Sequence, residues 1–170
     1  MKSYLSAINK IKKEFDNNWL TDSQRKVFDK LKDHFSFYGS ITGFLYGPPG
    51  CGKTFIGWVL EKEGILEYIP GGMKSKYNFS STVKGVVIDN IDFERYRLRD
   101  VMKNIALDDI NRYLLIGRFP PDEKLMREFK LNLRRDDLIK ARENLKNIGC
   151  SLHVNIENAT SFWSLLKGGY

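Results

Sequence analysis

Two spacings of apolar residues alternate along the chain and predict the order of its helices and strands. The N-terminal part shows helical spacing, with apolar side chains every three or four positions and lysines between them. A break falls at Thr21, which has the spacing of a capping box with Gln24 and so predicts the start of a second helix. The sequence therefore predicts two N-terminal helices, over 3–15 and from Thr21 to Phe35, as an extension (1–38) that precedes the core (39–170) of a single domain.

Beyond Gly39, short continuous apolar runs alternate with segments of helical spacing. The runs at 41–46, 65–69, 83–88, 113–116 and 151–156 are predicted strands, and the segments at 54–63, 98–110, 122–129, 135–147 and 161–167 are predicted helices. The polar residues 73–82 are predicted to form a loop. Strands that alternate with helices indicate a largely parallel sheet that is covered on both faces. The predicted fold class is thus α/β.

Size and composition fit one domain of this class. The 170 residues are 42% hydrophobic and 29% charged, enough to bury most of the apolar surface in one core. No apolar run approaches the roughly 18 residues of a membrane span, and the N-terminus lacks the apolar stretch of a secretory signal. Cys51 and Cys150 form no disulfide framework. We therefore expect no membrane partner and a cytoplasmic location, or a nuclear one if the chain comes from a virus of a eukaryote.

One segment has the pattern of a phosphate-binding loop. Residues 47–54 read GPPGCGKT and lie between a predicted strand and a predicted helix, as the pattern G-x-x-x-x-G-K-[ST] requires. The glycines let N–H groups point at phosphate oxygens, and the helix N-terminus adds a partial positive charge. Lys53 is expected to reach the β- and γ-phosphates, and the Thr54 hydroxyl to ligate Mg²⁺. The residues expected to contact nucleotide are Gly47, Pro48, Pro49, Gly50, Cys51, Gly52, Lys53, Thr54 and Phe55.

A carboxylate follows the next long apolar run. The run Val86-Val87-Ile88 ends in Asp89, 36 residues after Lys53. A phosphate loop needs a carboxylate at the end of a neighbouring strand to hold the metal ion and its water shell. Asp89 is the candidate, and the alternative is an Asp that only ends a strand. Thr54 and Asp89 together predict a Mg²⁺ site, and ATP is the predicted nucleotide.

The pairing of GPPGCGKT with VVIDNID resembles the P-loop ATPases of the AAA+ and related ASCE type. This group includes helicase loaders, clamp-loader subunits and the ATPase domains of viral replication initiators. The resemblance covers roughly residues 21–156 and makes 47–54 the Walker A motif and 86–89 the core of the Walker B motif. It implies a three-layer P-loop NTPase fold with the Walker A strand in the centre of the sheet, and catalytic roles for Lys53 and Asp89.

Two departures from the family pattern change the expected activity. The family usually follows the Walker B Asp with a Glu that polarises the attacking water, and here that position is Asn90. Slow hydrolysis is therefore expected, or a carboxylate from a partner or from nearby, with Asp92 preferred and Glu94 also considered. The family also has a helical lid, for which the 14 residues after Ile156 are too few. A partner or a second copy is expected to complete the site.

Arg118 and Gln24 are further candidates, each with a plainer alternative. Arg118 follows strand 113–116, where the family has a polar residue that touches the γ-phosphate. It is interpreted as that residue, as an arginine finger for a neighbouring subunit, or as a solvated side chain. The segment 20–28 resembles an element of DNA helicases whose Gln reads adenine, so Gln24 is a candidate for this role. The capping box explains the same residue equally well.

The charge of the chain favours polyanionic partners. The net charge is +7 and the pI about 9.3. Arginines alternate with an aromatic residue at 95–99, a composition that suits single-stranded nucleic acid, and 134–142 contains a basic stretch. A solvated surface is the alternative for both. The aromatic residues Trp58, Phe162 and Trp163 are interpreted as packing.

Three functions are compatible with these patterns. The leading one is a Mg²⁺-dependent, weak ATPase that acts in a nucleic-acid transaction through nucleotide-dependent assembly. Its expected partners are nucleic acid, a nucleic-acid-processing protein or further copies of the chain. The second is a nucleotide-dependent protein-binding switch with little hydrolysis and no direct nucleic-acid contact. The third is a small-molecule kinase with Arg134 and Arg135 in its lid, which the apolar strand ending in Asp-Asn-Ile-Asp fits less well.

Overall fold

A five-stranded parallel sheet forms the centre of the structure, a computed structural model that describes residues 2–37, 40–69, 85–92, 97–105, 110–120, 127–153 and 155–167. Its strands are β1 (Ile41–Tyr46), β2 (Glu67–Ile69), β3 (Gly85–Ile91), β4 (Arg112–Gly117) and β5 (Arg127–Lys130). The spatial order is β2-β3-β4-β1-β5, and each neighbouring pair is parallel. The predicted α/β class is confirmed.

Helices cover both faces of this sheet. They are α1 (Lys2–Glu14), α2 (Asp22–Phe35), α3 (Lys53–Lys62), α4 (Leu98–Ile105) and α5 (Arg135–Asn147). Side chains alternate between the faces of a strand, so Leu114 and Ile116 of β4 join the larger core, which includes residues of α1, α2, α3 and α5. Tyr113 and Leu115 join a smaller core with Val101 of α4. These layers are consistent with a three-layer fold of the P-loop type.

The N-terminal helix packs against the helix that follows the phosphate loop. Phe15, just beyond α1, lies edge-on to Phe55 with ring centroids 5.4 Å apart and also contacts Trp58. The ammonium of Lys12 lies 4.8 Å from the Trp58 ring. The extension predicted from the sequence is thus part of the larger core. None of the helices in the described ranges is long and apolar enough to cross a membrane.

Three predicted elements in the C-terminal part of the chain are wrong, and the first is the helix 122–129. Residues 127–130 form β5, which pairs with β1 and overlaps the last three residues of the predicted helix. Residues 121–126 lie outside the described ranges. The stretch is only four residues long, and only Phe129 within it is buried, which is too little for periodicity to distinguish strand from helix.

The predicted strand 151–156 and helix 161–167 are also different in the structure. The two segments pair with each other: the His153 N–H donates to Leu165 O and the Lys167 N–H to Ser151 O, each at 2.9 Å. The bridge between Leu152 and Leu166 is antiparallel, and the helical part is one 3₁₀ turn, Trp163–Leu165. Local backbone pairing between the two segments replaces both predicted elements.

The remaining predicted elements are present, β1 and α5 with the predicted bounds and the others with shifted ends. Strand β3 ends at Ile91, three residues beyond its predicted end, and β2 begins at Glu67. Helix α4 is described to Ile105, and residues 106–109 of the predicted helix lie outside the described ranges. The predicted loop 73–82 and part of the arginine-rich stretch 95–99 also lie outside them.

Asp137 joins the N-terminal ends of α2 and α5. Its side chain is 2% exposed. Its Oδ1 accepts from the Ser23 N–H at 3.1 Å, and its Oδ2 from the Arg134 N–H at 2.8 Å. Burial by itself raises the pKa of Asp137, but hydrogen bonds from Thr21, Ser23 and Arg134 outweigh it and leave the pKa below its ordinary value. The ionised carboxylate therefore holds the two helices together.

We expect Asp137→Asn to destabilise the protein at neutral pH and to have less effect in acid. A carboxyl whose pKa is depressed by folding contributes stability above its unfolded pKa of 3.8 and loses it as the pH falls through the folded value. Urea unfolding at pH 7 should show a loss of about 1–3 kcal/mol. The difference from the parent chain should shrink below about pH 4. Exposed Asp29→Asn is the control, and a pH-independent loss would contradict this role.

Candidate functional site

The carboxyl ends of β1, β3 and β4 meet at one edge of the sheet, and the residues there line one cavity. Parallel strands run in the same direction, so the residues that follow them come together. The loop 47–52 follows β1, residues 89–92 lie at the end of β3, and Arg118 follows β4. Residues from all three segments line a cavity of about 680 Å³. This volume lies within the roughly 300–1,000 Å³ of small-molecule sites.

The loop brings a lysine and a helix N-terminus to this cavity. Helix α3 begins at Lys53, and its N-cap, Gly52, provides no side-chain hydrogen bond to the first turn. The first-turn N–H groups of such a helix suit an anion. The Lys53 ammonium donates to the carbonyls of Gly47 at 2.7 Å and Pro48 at 2.9 Å. Cys51 is part of the loop, its thiol is buried, and burial raises the pKa of that thiol.

The structure brings Thr54 and Asp89 together. The Thr54 hydroxyl donates to Oδ2 of Asp89 at 2.6 Å, and Asp89 is only 4% exposed. The alternation of β3 explains the contact, because Asp89 faces the same side of the sheet as Val87, which is part of the core beneath α3. The pair predicted from two distant motifs therefore lies at the first turn of α3.

The chemistry of this pair fits Mg²⁺. Both groups are oxygen donors, and Mg²⁺ in nucleotide sites is held by one or two protein oxygens together with waters and phosphate oxygens. Within the described ranges, no cluster of three or more His, Cys, Asp or Glu could form an all-protein metal cage. The arrangement thus fits a metal ion that a bound phosphate chain helps to hold.

Tyr68 is a third group at Asp89, and sequence reasoning missed it. Its hydroxyl donates to the same Oδ2 at 2.7 Å. Burial, and then the neighbouring Asp89 carboxylate, raise the pKa of Tyr68 well above its ordinary value. The phenol is therefore a proton donor at neutral pH. No motif marks Tyr68, because the contact depends on the register between β2 and β3.

Asn90 and Asp92 also line the cavity. Asn90 has a φ of 61°, in the left-handed region that Asn tolerates better than most residues. The pairing of β3 with β4 is irregular between Ile88 and Ile91, so Asn90 lies at a bulge and its side chain is exposed. Among the described residues, the carboxylates in the lining are those of Asp89 and Asp92. Glu94 lies outside the described residues.

Gln24 forms the predicted capping box. Its Oε1 accepts from the Thr21 N–H at 3.0 Å, and its own N–H donates to the Thr21 hydroxyl at 3.4 Å. Its Nε2 also donates to the carbonyl of Gly52 at 3.4 Å. The structural role of Gln24 is therefore present, and its side chain also lines the cavity.

Arg118 lies at the rim of the cavity. Its side chain is exposed, and the neighbouring Phe119 is 53% exposed. Both residues follow β4 directly, so the carboxyl end of that strand brings a cation and an aromatic ring to the site. The three roles considered for Arg118 remain predictions.

The C-terminal segment, residues 161–163, packs on the loop 47–52. The Phe162 N–H donates to Gly50 O at 2.9 Å. A Cβ on Gly50 would lie 2.5 Å from Cβ of Ser161, and one on Gly52 would lie 2.6 Å from Cε2 of Phe162. Phe162 and Trp163, interpreted from sequence as packing residues, therefore also form a wall of the cavity.

Comparisons with known proteins add little to this geometry. No protein-family model and no curated protein matches the chain. A similar solved structure is a chain from "Structure of Drosophila ORC bound to DNA", with a TM-score of 0.44 and 15% sequence identity. The match covers 74% of this chain and 45% of that one. A similarity of this size supports no statement about function, and the sheet topology alone carries the assignment of the fold.

We expect Gly50→Ala to destabilise the protein more than Gly64→Ala does. The two glycines have φ values of +70° and +69°, so alanine incurs a similar backbone penalty, about 1–2 kcal/mol, at both. Only at Gly50 does the added methyl meet Ser161; nothing lies within 4 Å at Gly64. Urea unfolding should show an additional loss of about 1–3 kcal/mol for Gly50→Ala. Equal losses would contradict the packing of 161–163 on the loop.

Proposed function

We propose that this chain binds ATP with Mg²⁺ and hydrolyses it slowly, in a nucleic-acid transaction that proceeds through nucleotide-dependent assembly. The observation that carries the proposal is the 2.6 Å hydrogen bond between Thr54 and Asp89, next to Lys53 at the start of α3. An uncapped helix N-terminus, a lysine and a hydroxyl–carboxylate pair are the groups that a nucleoside triphosphate and its metal ion require.

Each of these groups has a distinct role in the proposal. The loop N–H groups and Lys53 bind the phosphate chain, and Thr54 and Asp89 hold Mg²⁺. The ion, when bound, neutralises charge on the phosphate oxygens. Asp89 is 4% exposed and already oriented by hydrogen bonds, so little reorganisation is needed. The slow step is then the activation of water, because the side chain at position 90 is an amide.

The aromatic residues that line the cavity suit a nucleobase. Trp19, Phe162 and Trp163 line it together with Gln24. Aromatic rings offer stacking surfaces to a flat base, and Gln24 adds a polar side chain. Lys53 and aromatic rings in the lining of one cavity suit the phosphates and the base of a nucleotide. This combination supports ATP over a free phosphorylated metabolite, whose carbon skeleton would not need aromatic rings.

Lys53→Ala should lose nucleotide binding. An ammonium that contacts phosphate contributes about 1.5–3 kcal/mol, so we expect roughly a 10- to 150-fold loss of ADP and ATP affinity in calorimetry with Mg²⁺. Exposed Lys26→Ala removes the same charge from the surface of α2 and should bind normally. Molecular mass in solution, measured with and without ATP, should show assembly that Lys53→Ala lacks. Absence of nucleotide binding by the parent chain would overturn the proposal.

The nucleic-acid part of the proposal rests on charge. The chain carries +7 net charge, Arg97 and Arg99 are exposed at the start of α4, and Arg118 lies at the rim of the cavity. Cationic side chains that displace counterions from phosphates favour nucleic acid.

Asn90 favours the second candidate, a nucleotide-dependent protein-binding switch with little hydrolysis.

ATP turnover with and without DNA distinguishes the two candidates. We expect single- or double-stranded DNA at low salt to stimulate turnover, and indifference to both would favour the switch.

Asp92→Asn removes a carboxylate from the cavity and should lower turnover about 100-fold while ADP affinity stays within about twofold. A rate that Asp92→Asn leaves unchanged would show that Asp92 does not activate the water.

A further inference from the structure

Gly57 lies in the middle of α3, where glycine is unfavourable. A glycine in a helix interior costs about 0.5–1 kcal/mol relative to alanine. A Cβ at this position would lie 2.9 Å from Cδ2 of Tyr68 and 3.3 Å from Cγ1 of Val87. The absence of a side chain thus allows the Tyr68 ring to lie directly against the helix backbone.

The register of the sheet aims this ring at Asp89. Tyr68 of β2 pairs with Val87 of β3, and both belong to the core on the α3 side. Asp89 faces the same side two residues further along β3. Trp58 packs against Tyr68 with ring centroids 6.3 Å apart at 82°. The ring therefore lies between α3 and the sheet with its hydroxyl 2.7 Å from Asp89 Oδ2.

Asp89 receives three hydrogen bonds from three parts of the fold. Oδ2 accepts from Thr54 of α3 at 2.6 Å and from Tyr68 of β2 at 2.7 Å. Oδ1 accepts from the Asn90 N–H at 2.7 Å. Thr54 is itself a proposed metal ligand, and the Asn90 N–H belongs to the residue next to Asp89, at the bulge of β3. Tyr68 is thus the donor on a separate strand, fixed by ring packing.

We infer that Tyr68 is a positioning residue that holds the Asp89 carboxylate in the orientation in which Oδ2 meets the Thr54 hydroxyl. The inference rests on the proposed function, because its purpose is to prepare the Thr54–Asp89 pair for the Mg²⁺ that accompanies a nucleotide. Tyr68 lines the cavity, and its role in this inference is to act through Asp89. Groups that orient a metal ligand in this way typically change metal affinity by about 10- to 100-fold when removed.

Tyr68→Phe tests the inference, because it removes the hydroxyl and keeps the ring against Gly57 and Trp58. The measurement is the affinity of a fluorescent ADP analogue, first in EDTA and then across a Mg²⁺ titration. We expect the metal-free affinity to stay within about twofold and the Mg²⁺ concentration of half-maximal effect to rise roughly tenfold. A general loosening of the fold would instead weaken binding in EDTA as well.

Two further variants keep the test decisive. Tyr113→Phe removes a tyrosine hydroxyl from the core on the opposite face of the sheet. It should change neither the metal-free affinity for the ADP analogue nor the Mg²⁺ concentration of half-maximal effect. Gly57→Ala keeps the Tyr68 hydroxyl but displaces its ring, and should shift the Mg²⁺ dependence in the same direction as Tyr68→Phe. If circular dichroism shows that Tyr68→Phe does not fold, Gly57→Ala tests the inference in its place.

The outcomes separate the inference from the proposed function. If the parent chain binds the ADP analogue with Mg²⁺ dependence and both Tyr68→Phe and Gly57→Ala retain that dependence, the inference is overturned and the proposed function stands. Tighter Mg²⁺ binding by Tyr68→Phe would also overturn it, since Tyr68 would then compete with the ion for Asp89. If the parent chain shows no binding, the proposed function fails and the inference with it.

Discussion

The arrangement of this site depends on one constraint: Asp89 is a carboxylate with only 4% of its surface exposed, and it must be supplied with hydrogen-bond donors. The donors are Thr54 at the first turn of α3, Tyr68 on β2 and the Asn90 N–H at the bulge of β3. Because the strands are parallel, their carboxyl ends bring these groups to the edge that the loop also occupies. The same contacts that satisfy the buried charge also place two oxygen donors beside Lys53.

The walls of the cavity come from segments that are distant in sequence. Phe15, just beyond α1, packs on Phe55 of α3, and Ser161 and Phe162 pack on Gly50. The family resemblance led to the expectation that a partner or a second copy would complete the site. Within the described residues, the chain's own C-terminal segment supplies part of that enclosure. Among the described residues, Arg118 and Phe119 are exposed at the rim of the cavity.

Much of this architecture could be predicted from local patterns. Each of β1, β3 and β4 contains a short continuous apolar run, and the loop motif specifies both its flanking elements and its chemistry. The metal-site role of Asp89 could be predicted because it ends an apolar run that follows the loop motif along the chain. The predicted helix 122–129 overlaps β5 because a four-residue strand shows too little periodicity, and the pairing of β5 with β1 is a tertiary contact. The contact of Tyr68 with Asp89 could not be predicted, because it depends on register between two strands separated by many residues. The internal Gly57 was the one local sign of it.

The crystal structure of the chain with ADP and Mg²⁺ tests the central claim most directly. The account predicts the β-phosphate at the N-terminus of α3 and the ion about 2.0–2.1 Å from the Thr54 hydroxyl oxygen. The Asp89 carboxylate should remain beside that hydroxyl, with the Tyr68 hydrogen bond intact. An ion bound away from Thr54 and Asp89, or a nucleotide whose phosphates do not contact residues 47–54, would contradict it.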